Sequence, residues 1–149
     1  NIVTTGALNS GSITSGFGAI NNGSSAITTT GTVSAGDVTV GDDVTVAGRA
    51  SGHVTTDNDG SFDLAVGNDF KCTTAGGLTL TFTNPVAGQS GNIMFINGGN
   101  HAIAAHASVA ISAASLTAIS ATGTYYLAYY CSAASGNNTI LVSASAALT

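Results

Sequence analysis

The chain has 149 residues and a mass of 14.4 kDa, and its side chains are unusually small, with 20 Gly, no Trp and 6% aromatic residues. Only 6% of the residues are charged, against about 25% in a typical soluble domain, whereas the mean hydropathy is +0.37. This pattern excludes an intrinsically disordered chain, and a net charge of −5 excludes a nucleic-acid-binding protein, which needs basic patches. A monomer with such small side chains would build a thin core, so we expect self-association.

The charged residues are confined to one part of the sequence. All seven Asp and both cations lie between Asp37 and Lys71, and only His101 and His106 could carry a formal charge from Cys72 onward. An apolar run of about 18 residues is absent, so the sequence predicts no membrane-spanning helix. The chain begins with Asn rather than Met, and we expect it to be a fragment or a processed product.

The first 48 residues contain a degenerate repeat of a branched aliphatic residue, one or more Thr and a Gly. It occurs as VTTG (3–6), ITSG (13–16), ITTTG (27–31), VTVG (38–41) and VTVAG (44–48). β-Branched residues favour strands, and Gly allows tight turns. Repeated strands that bury little individually are typical of stacked or intertwined β architecture. We therefore predict that residues 1–48 form a Gly/Ser/Thr-rich β-repeat shaft whose core is completed by partner chains.

Residues 49–71 form a predicted transition segment, with a polar turn at 57–60 and an alternating strand at Phe62, Leu64 and Val66. Residues 72–149 form a predicted neutral tip domain. Its strands are expected at LTLTFT (78–83), NIMFIN (92–97), TYYLAYYC (124–131) and NTILVSASAAL (138–148).

Ala favours a helix in the tract 102–121, but its apolar residues alternate at period two, so we predict strands with a break. The predicted fold class is all-β: an intertwined repeat shaft followed by a small antiparallel, jelly-roll-like β-sandwich.

Few residues carry recognisable chemistry. Cys72 and Cys131 could form a disulfide bond, but they suit small buried thiols equally well. The sequence DNDGSFD (57–63) lacks EF-hand spacing, and the three His residues form no metal-binding pair. Since no nucleophile motif is present either, we expect no enzyme activity, no metal and no cofactor.

The four tyrosines should divide between the two faces of a strand. Tyr125 and Tyr129 would share one face, and Tyr126 and Tyr130 the other. One pair should lie in the core, whereas the other is free to bind a ligand or to pack against a neighbouring subunit. Two Asn-rich loops, NGGN (97–100) and SGNN (135–138), are further candidates. The candidate binding residues are therefore Asn97, Asn100, Asn137, Asn138, Tyr126 and Tyr130.

The sequence ITSGFGAINNGSSAITTTGTVSAG (13–36) resembles shaft segments of tail fibres from marine and other environmental tailed bacteriophages. The C-terminal block resembles the fibre-tip domains that often follow such segments, through LTLTFTNPVAGQSGNIMFI (78–96), TYYLAYYCSA (124–133) and NTILVSASAAL (138–148). The most specific piece is TFTNPVAGQSG (81–91). Related tips commonly carry a Trp in the middle segment, and this chain has none. The resemblance implies a homotrimer that projects from a virion and contacts a host surface.

We therefore expect a structural, extracellular virion protein that adheres to a host cell-surface glycan or an outer-membrane receptor. Its partners would be other copies of itself and other tail or capsid proteins. A phage head fibre or capsid decoration protein is one alternative, and a bacterial surface adhesin or filament subunit is another. A glycan-cleaving spike is a further one, and it would release reducing sugars from host polysaccharide.

Overall fold

The computed structural model describes Ala19 and residues 21–148, and the chain divides into two units, Asn1–Thr45 and Val46–Thr149. Residues 21–45 are all exposed and contain neither helix nor strand. The repeats at 3–6 and 13–16 lie outside the described residues, whereas those at 27–31, 38–41 and 44–48 do not form the expected strands. Each of these repeats contributes only one or two branched aliphatic side chains, which is too little to stabilise a strand that has no neighbour.

The described part of the second unit contains nine strands and one short helix. The strands are β1 (Val54–Thr56), β2 (Ser61–Asp63), β3 (Asp69–Thr74), β4 (Leu78–Thr83), β5 (Ser90–Asn97), β6 (Ile103–Ala105), β7 (Val109–Ala110), β8 (Gly123–Cys131) and β9 (Ile140–Ala144). The helix α1 covers Ala113–Ile119. The described residues are therefore mostly strands and loops, as the predicted all-β class requires.

Strands β1 to β6 alternate between two sheets. One sheet has the order β1-β3-β5-β8-β9-β7, and the other has the order β2-β4-β6. The pairs β1–β3, β3–β5, β2–β4 and β4–β6 are all parallel. The chain thus winds between the sheets three times, and each turn stacks on the previous one about 4.8 Å away. We call β1–β6 the three-turn coil.

The strand directions differ from the predicted antiparallel arrangement. Of the seven pairings between strands in the described residues, β5–β8 and β8–β9 are antiparallel and the other five are parallel. Parallel neighbours need a crossover connection, and within the three-turn coil the crossover for each sheet is a strand of the other sheet. Period-two alternation reports which side chains are buried but not the direction of a neighbouring strand. For that reason the sequence pattern did not predict the parallel pairings.

Apolar side chains of both sheets pack into one core. Phe62 contacts Phe70 and Phe82 at ring-centroid distances of 5.3 and 5.5 Å, and Phe82 lies 5.1 Å from Tyr129. The predicted start of the tip at residue 72 falls inside β3, and Phe62 and Phe70 of the predicted transition segment belong to this same core. The described residues of the second unit therefore bury a core within one chain.

The Ala-rich tract divides into two parts. Its first half forms β6 and β7, as period two predicts, but its second half forms α1, which the sequence analysis rejected. The Ser112 hydroxyl accepts a hydrogen bond from the Ser115 amide at 3.0 Å and so caps the helix. Leu116 and Ile119 face the core at helical spacing. Among the described residues, no helix is long and apolar enough to cross a membrane.

Candidate receptor-binding surfaces

Asn97, one of the predicted receptor-binding residues, is only 1% exposed and cannot contact a receptor. Its side-chain amide donates to the carbonyl oxygens of His101 and Ile119, at 2.8 and 2.9 Å. Its Oδ1 accepts from the amides of Gly99 and His101 and from the Thr74 hydroxyl. The residue therefore ties the end of β5 to the following loop and to the end of α1. Its place in an Asn-rich loop did not reveal this structural role.

Asn100 and Asn138 are exposed, and both shape their loops. Their φ values of 53° and 54° lie in the left-handed region, which Asn tolerates better than most residues. The Asn100 Oδ1 accepts from the amide and the hydroxyl of Thr122 at 2.7 and 3.0 Å, which links two loops. Both residues thus have a conformational reason to be Asn.

Asn137 lies beside a surface depression of about 320 Å³, which we call the loop pocket. His106 also lines it, and the His106 Nδ1 is 2.9 Å from the Ser108 hydroxyl and accepts from the Ser108 amide at 3.2 Å. The imidazole is thereby held in one orientation. The loop pocket is lined by Phe82, Pro85, His106, Ser108, Ala134, Ser135, Gly136, Asn137, Thr139 and Ile140.

The predicted division of the tyrosines between two faces of β8 is confirmed. Tyr125 and Tyr129 are 2% and 3% exposed and lie in the core. Tyr126 and Tyr130 are 48% and 49% exposed and lie on the outer face of the six-stranded sheet. Two aromatic side chains on one open sheet face are a candidate ligand-binding feature.

The sheet register places small and polar residues between these two tyrosines. They are four residues apart along β8, about 13 Å, with Ala128 between them. Asn92 lies opposite Ala128 on one side, and Ser143 lies opposite it on the other. We call this region the tyrosine cleft. Between the rows of the two tyrosines lies a depression of about 360 Å³, lined by Asn68, Asp69, Ser90, Gly91, Asn92, Ala128 and Tyr129 and not by Tyr126 or Tyr130 themselves.

A chain of hydrogen bonds crosses three strands at one side of the cleft. The Tyr126 hydroxyl donates to the Asn92 Oδ1, and the Asn92 amide donates to the Asp69 Oδ1 at 3.0 Å. The Asp69 Oδ2 accepts no side-chain hydrogen bond from the part of the chain that the structure describes. These hydrogen bonds fix Tyr126 and Asn92, and the Asp69 Oδ2 lies beside Gly52, where it would be 2.9 Å from a Cβ atom.

The cleft floor depends on a close backbone approach at Gly91. A Cβ atom there would overlap the Asn68 carbonyl oxygen and would lie 2.6 Å from the Tyr129 hydroxyl. The Asn68 carbonyl oxygen accepts from the backbone amide of Asn92 and from the Tyr129 hydroxyl, both at 3.0 Å. Only Gly fits this position, so the loop before β3 is held against β5.

Exposed apolar side chains border the cleft. Val54, Met94 and Leu141 are each about half exposed on the same face, at 55%, 48% and 48%. Lys71 lies beside Met94 in the register, and Asp69 lies beside Asn92. The face thus combines apolar edges, a polar floor and one charge of each sign.

The two cysteines are free and buried, and both are poor nucleophiles. Burial raises the pKa of the Cys72 thiol to about 12, and the negative charges of Asp57 and Asp59 add to the effect. Burial also raises the pKa of Cys131. In the register, Cys72 lies opposite Phe95, and Phe95 lies opposite Tyr125. Tyr125 is six residues before Cys131 in β8. The two thiols are therefore separated by about 20 Å along the sheet, too far for a disulfide bond.

The acidic turn before β2 is organised by its own backbone. The Asp57 and Asp59 carboxylates accept from the amides of Asp59 and Ser61, at 3.2 and 2.7 Å. Partial burial, a side-chain hydrogen bond with Asp59 and the negative charge of Asp59 together raise the pKa of Asp57, although the Asp59 backbone amide acts in the opposite direction. Over the described residues, three potential metal ligands of the His, Cys, Asp or Glu type never come together.

Three residues of the tyrosine cleft and the loop pocket were not predicted as binding residues from the sequence: Asn92, Asp69 and His106. Alternation in NIMFIN (92–97) does place Asn92 and Met94 on the face opposite Ile93 and Phe95. Their proximity to Tyr126 follows only from the register of β5 against β8, which the sequence pattern does not specify.

Searches of protein-family models, of curated proteins and of solved structures found no match to this chain.

Proposed function

We propose that this chain is the distal part of a homotrimeric bacteriophage fibre that adheres to a host cell-surface glycan or an outer-membrane receptor. The proposal describes a structural virion protein without enzyme activity. Residues 1–48 would form an intertwined shaft of three chains, and the rest of the second unit would form an extracellular tip, a small β-sandwich by our interpretation of its two sheets.

The tyrosine cleft is the observation that carries the proposal. Exposed aromatic rings beside amide and hydroxyl groups are typical of recognition surfaces, because one side chain supplies both apolar area and hydrogen bonds. The loop pocket is a second recessed surface, on the loops that follow β4, β6 and β8. Three copies of a weak site bind a repetitive surface far more tightly than one copy does.

The resemblance of residues 13–36 and 78–148 to phage fibres supports the same function. A low charge density also fits a repeat shaft, because side chains near the axis of an intertwined trimer are shielded from water. The seven Asp residues would reduce lateral association between fibres.

The oligomeric state is the first test. Sedimentation velocity of the 149-residue chain at micromolar concentration should give a mass of roughly three times 14.4 kDa. A monodisperse monomer across the whole concentration range would contradict the trimeric fibre.

Adhesion is the second test. The fluorescently labelled chain should bind to whole bacterial cells of a panel of environmental strains, as measured by flow cytometry. Periodate treatment of the cells would abolish binding to a glycan, whereas protease treatment would abolish binding to an outer-membrane protein. Release of reducing sugars during incubation would contradict a purely structural role.

A further inference from the structure

We propose that the tyrosine cleft binds one pyranose ring of a neutral polysaccharide, with its apolar face against Tyr126 or Tyr130 and its hydroxyl groups on Asn92 and Asp69. This inference rests on the proposed adhesive function, and it specifies the ligand and the side chains that hold it. It assigns no role to the Asn-rich loops.

The two sides of the cleft match the two kinds of surface on a sugar ring. A pyranose ring presents axial C–H groups on its faces and hydroxyl groups around its edge. Tyr126 and Tyr130 are each about half exposed, so their ring faces are available for C–H contacts. Ala128 between them is small, and it leaves room for a ligand to lie on the sheet.

The floor supplies a pair of groups suited to neighbouring hydroxyls. The Asn92 amide has one N–H beyond the one that it donates to Asp69. The Asp69 Oδ2 is an acceptor without a side-chain donor among the described residues. The Asn92 N–H can donate to one sugar hydroxyl, and the Asp69 Oδ2 can accept from the neighbouring hydroxyl. In the register, Ser90 lies opposite Tyr130 and Ser143 lies opposite Ala128.

The dimensions and rigidity favour one ring. A depression of about 360 Å³ is at the small end of the range of roughly 300–1,000 Å³ for ligand sites. Tyr126 is already fixed by Asn92, and Gly91 holds the floor against Asn68. Binding therefore orders few side chains, which reduces its entropic cost.

A neutral ligand is favoured over a charged one. The carboxylate of Asp69 repels acidic sugars, and the ammonium of Lys71 is beside Met94 rather than on the cleft floor. Ion pairing therefore contributes little, and the affinity should change less than about twofold between 50 and 500 mM NaCl.

Tyrosine fluorescence measures this binding directly, because the chain has four Tyr and no Trp. The full chain is titrated with neutral oligosaccharides of glucose, galactose, mannose and N-acetylglucosamine, and with an acidic oligogalacturonide. We expect at least one neutral sugar to change the emission with saturation, and the acidic sugar to have no effect.

Four variants and one control test the assignment of the side chains. Tyr126→Ala and Tyr130→Ala remove the ring faces, Asn92→Ala removes the floor amide, and Ala128→Phe fills the cleft without changing a buried side chain. Asn92→Ala, Ala128→Phe and the variant of whichever tyrosine stacks on the ring should each weaken binding about tenfold or more, and the other tyrosine variant should weaken it less. Thr79→Ala, on the exposed face of β4 in the other sheet, should bind as the unchanged chain does. Circular dichroism and sedimentation confirm that each variant keeps its fold and mass.

The outcomes separate this inference from the proposed function. If the chain binds cells but no neutral sugar, or if Ala128→Phe binds sugar normally, the cleft assignment is wrong and adhesion stands. If the tyrosine variants lose the trimer mass instead, the face is an interface between copies, and the assignment is also wrong. If the chain binds no cells although it binds a neutral sugar, the adhesive function fails alone.

Discussion

Asn97 is the residue on which the connections around the end of β5 depend. Replacing it with Ala leaves the carbonyls of His101 and Ile119 and the amides of Gly99 and His101 without their partner in a buried place. Unsatisfied buried polar groups cost about 1–3 kcal/mol each, less where water can enter. We expect Asn97→Ala to lower the free energy of unfolding by roughly 3 kcal/mol, measured by urea denaturation.

The exposed Asn100 is a matched control for that prediction. Asn100→Ala loses only its exposed bonds to Thr122 and a favourable left-handed conformation, so its loss should be about 1 kcal/mol. Equal losses in the two variants would show that Asn97 is not the connecting residue described above.

The buried acids Cys72 and Tyr129 make the fold sensitive to alkali. Their pKa values rise from 9.0 and 10.0 to about 12, mainly because of burial. Above about pH 9 the unfolded chain loses protons that the folded chain retains, so the free energy of unfolding should fall between pH 9 and 12. Urea titrations at several pH values measure this decline, which should be shallower in Cys72→Ala.

At the level of elements, the contact of β5 with the loop before β3 depends on Gly91. Gly91→Ala places a methyl group on the Asn68 carbonyl, which no side-chain movement can relieve. We expect a loss of several kcal/mol, or misfolding, by thermal denaturation. Gly98→Ala is the control, since a Cβ there meets no atom within 4 Å. Similar melting temperatures of the two variants would contradict the close approach.

Strand positions were predictable from the sequence, and strand partners were not. LTLTFT (78–83) is β4 with the predicted bounds, and NIMFIN and TYYLAYYC lie within β5 and β8, because period two and β-branched or aromatic residues identify half-buried strands. Parallel pairing depends on where the chain crosses between sheets, and α1 depends on the Ser112 cap and on core contacts of Leu116 and Ile119. Neither is a local property of the sequence.

For the whole molecule, one chain buries more apolar area than its many small side chains indicate. Small side chains led to the expectation that the strands need neighbouring copies, yet four Phe and two Tyr concentrate the apolar area. These residues of the second unit's core are Phe62, Phe70, Phe82, Phe95, Tyr125 and Tyr129. Aromatic residues compensate for the surrounding Ala and Gly because each buries about 150–250 Å².

This core leads to a prediction for a shortened chain. Residues 46–149 should fold alone and melt cooperatively, with a midpoint within a few degrees of that of the full chain, as measured by circular dichroism. If the proposed shaft holds the three chains together, the full chain sediments as a trimer and the shortened chain as an assembly of fewer copies. A shortened chain without a cooperative transition would show that the second unit needs residues 1–45.

The candidate site was predictable from the sequence only in part. Alternation placed Tyr126 and Tyr130 outside, whereas Asn97 in an Asn-rich loop proved to be buried. Exposure of a strand residue follows from its own sequence, but the surroundings of a loop residue depend on distant segments, here Ile119 and Thr74. Asn92 and Asp69 join the cleft through register alone.

The three-turn coil is closed at one end and open at the other. At one end β8 pairs with β5 and α1 contacts β6, whereas β1 and β2 at the other end have no neighbour beyond them among the described residues. In the register, Val54 stacks on Asp69 and Asp69 on Asn92, so one turn takes 15 residues and the next takes 23. Tandem duplication of a single turn at the open end would therefore lengthen the protein by about 4.8 Å without disturbing the capped end. The length of the coil can therefore change by whole turns while Tyr126 and Tyr130 keep their surroundings on β8.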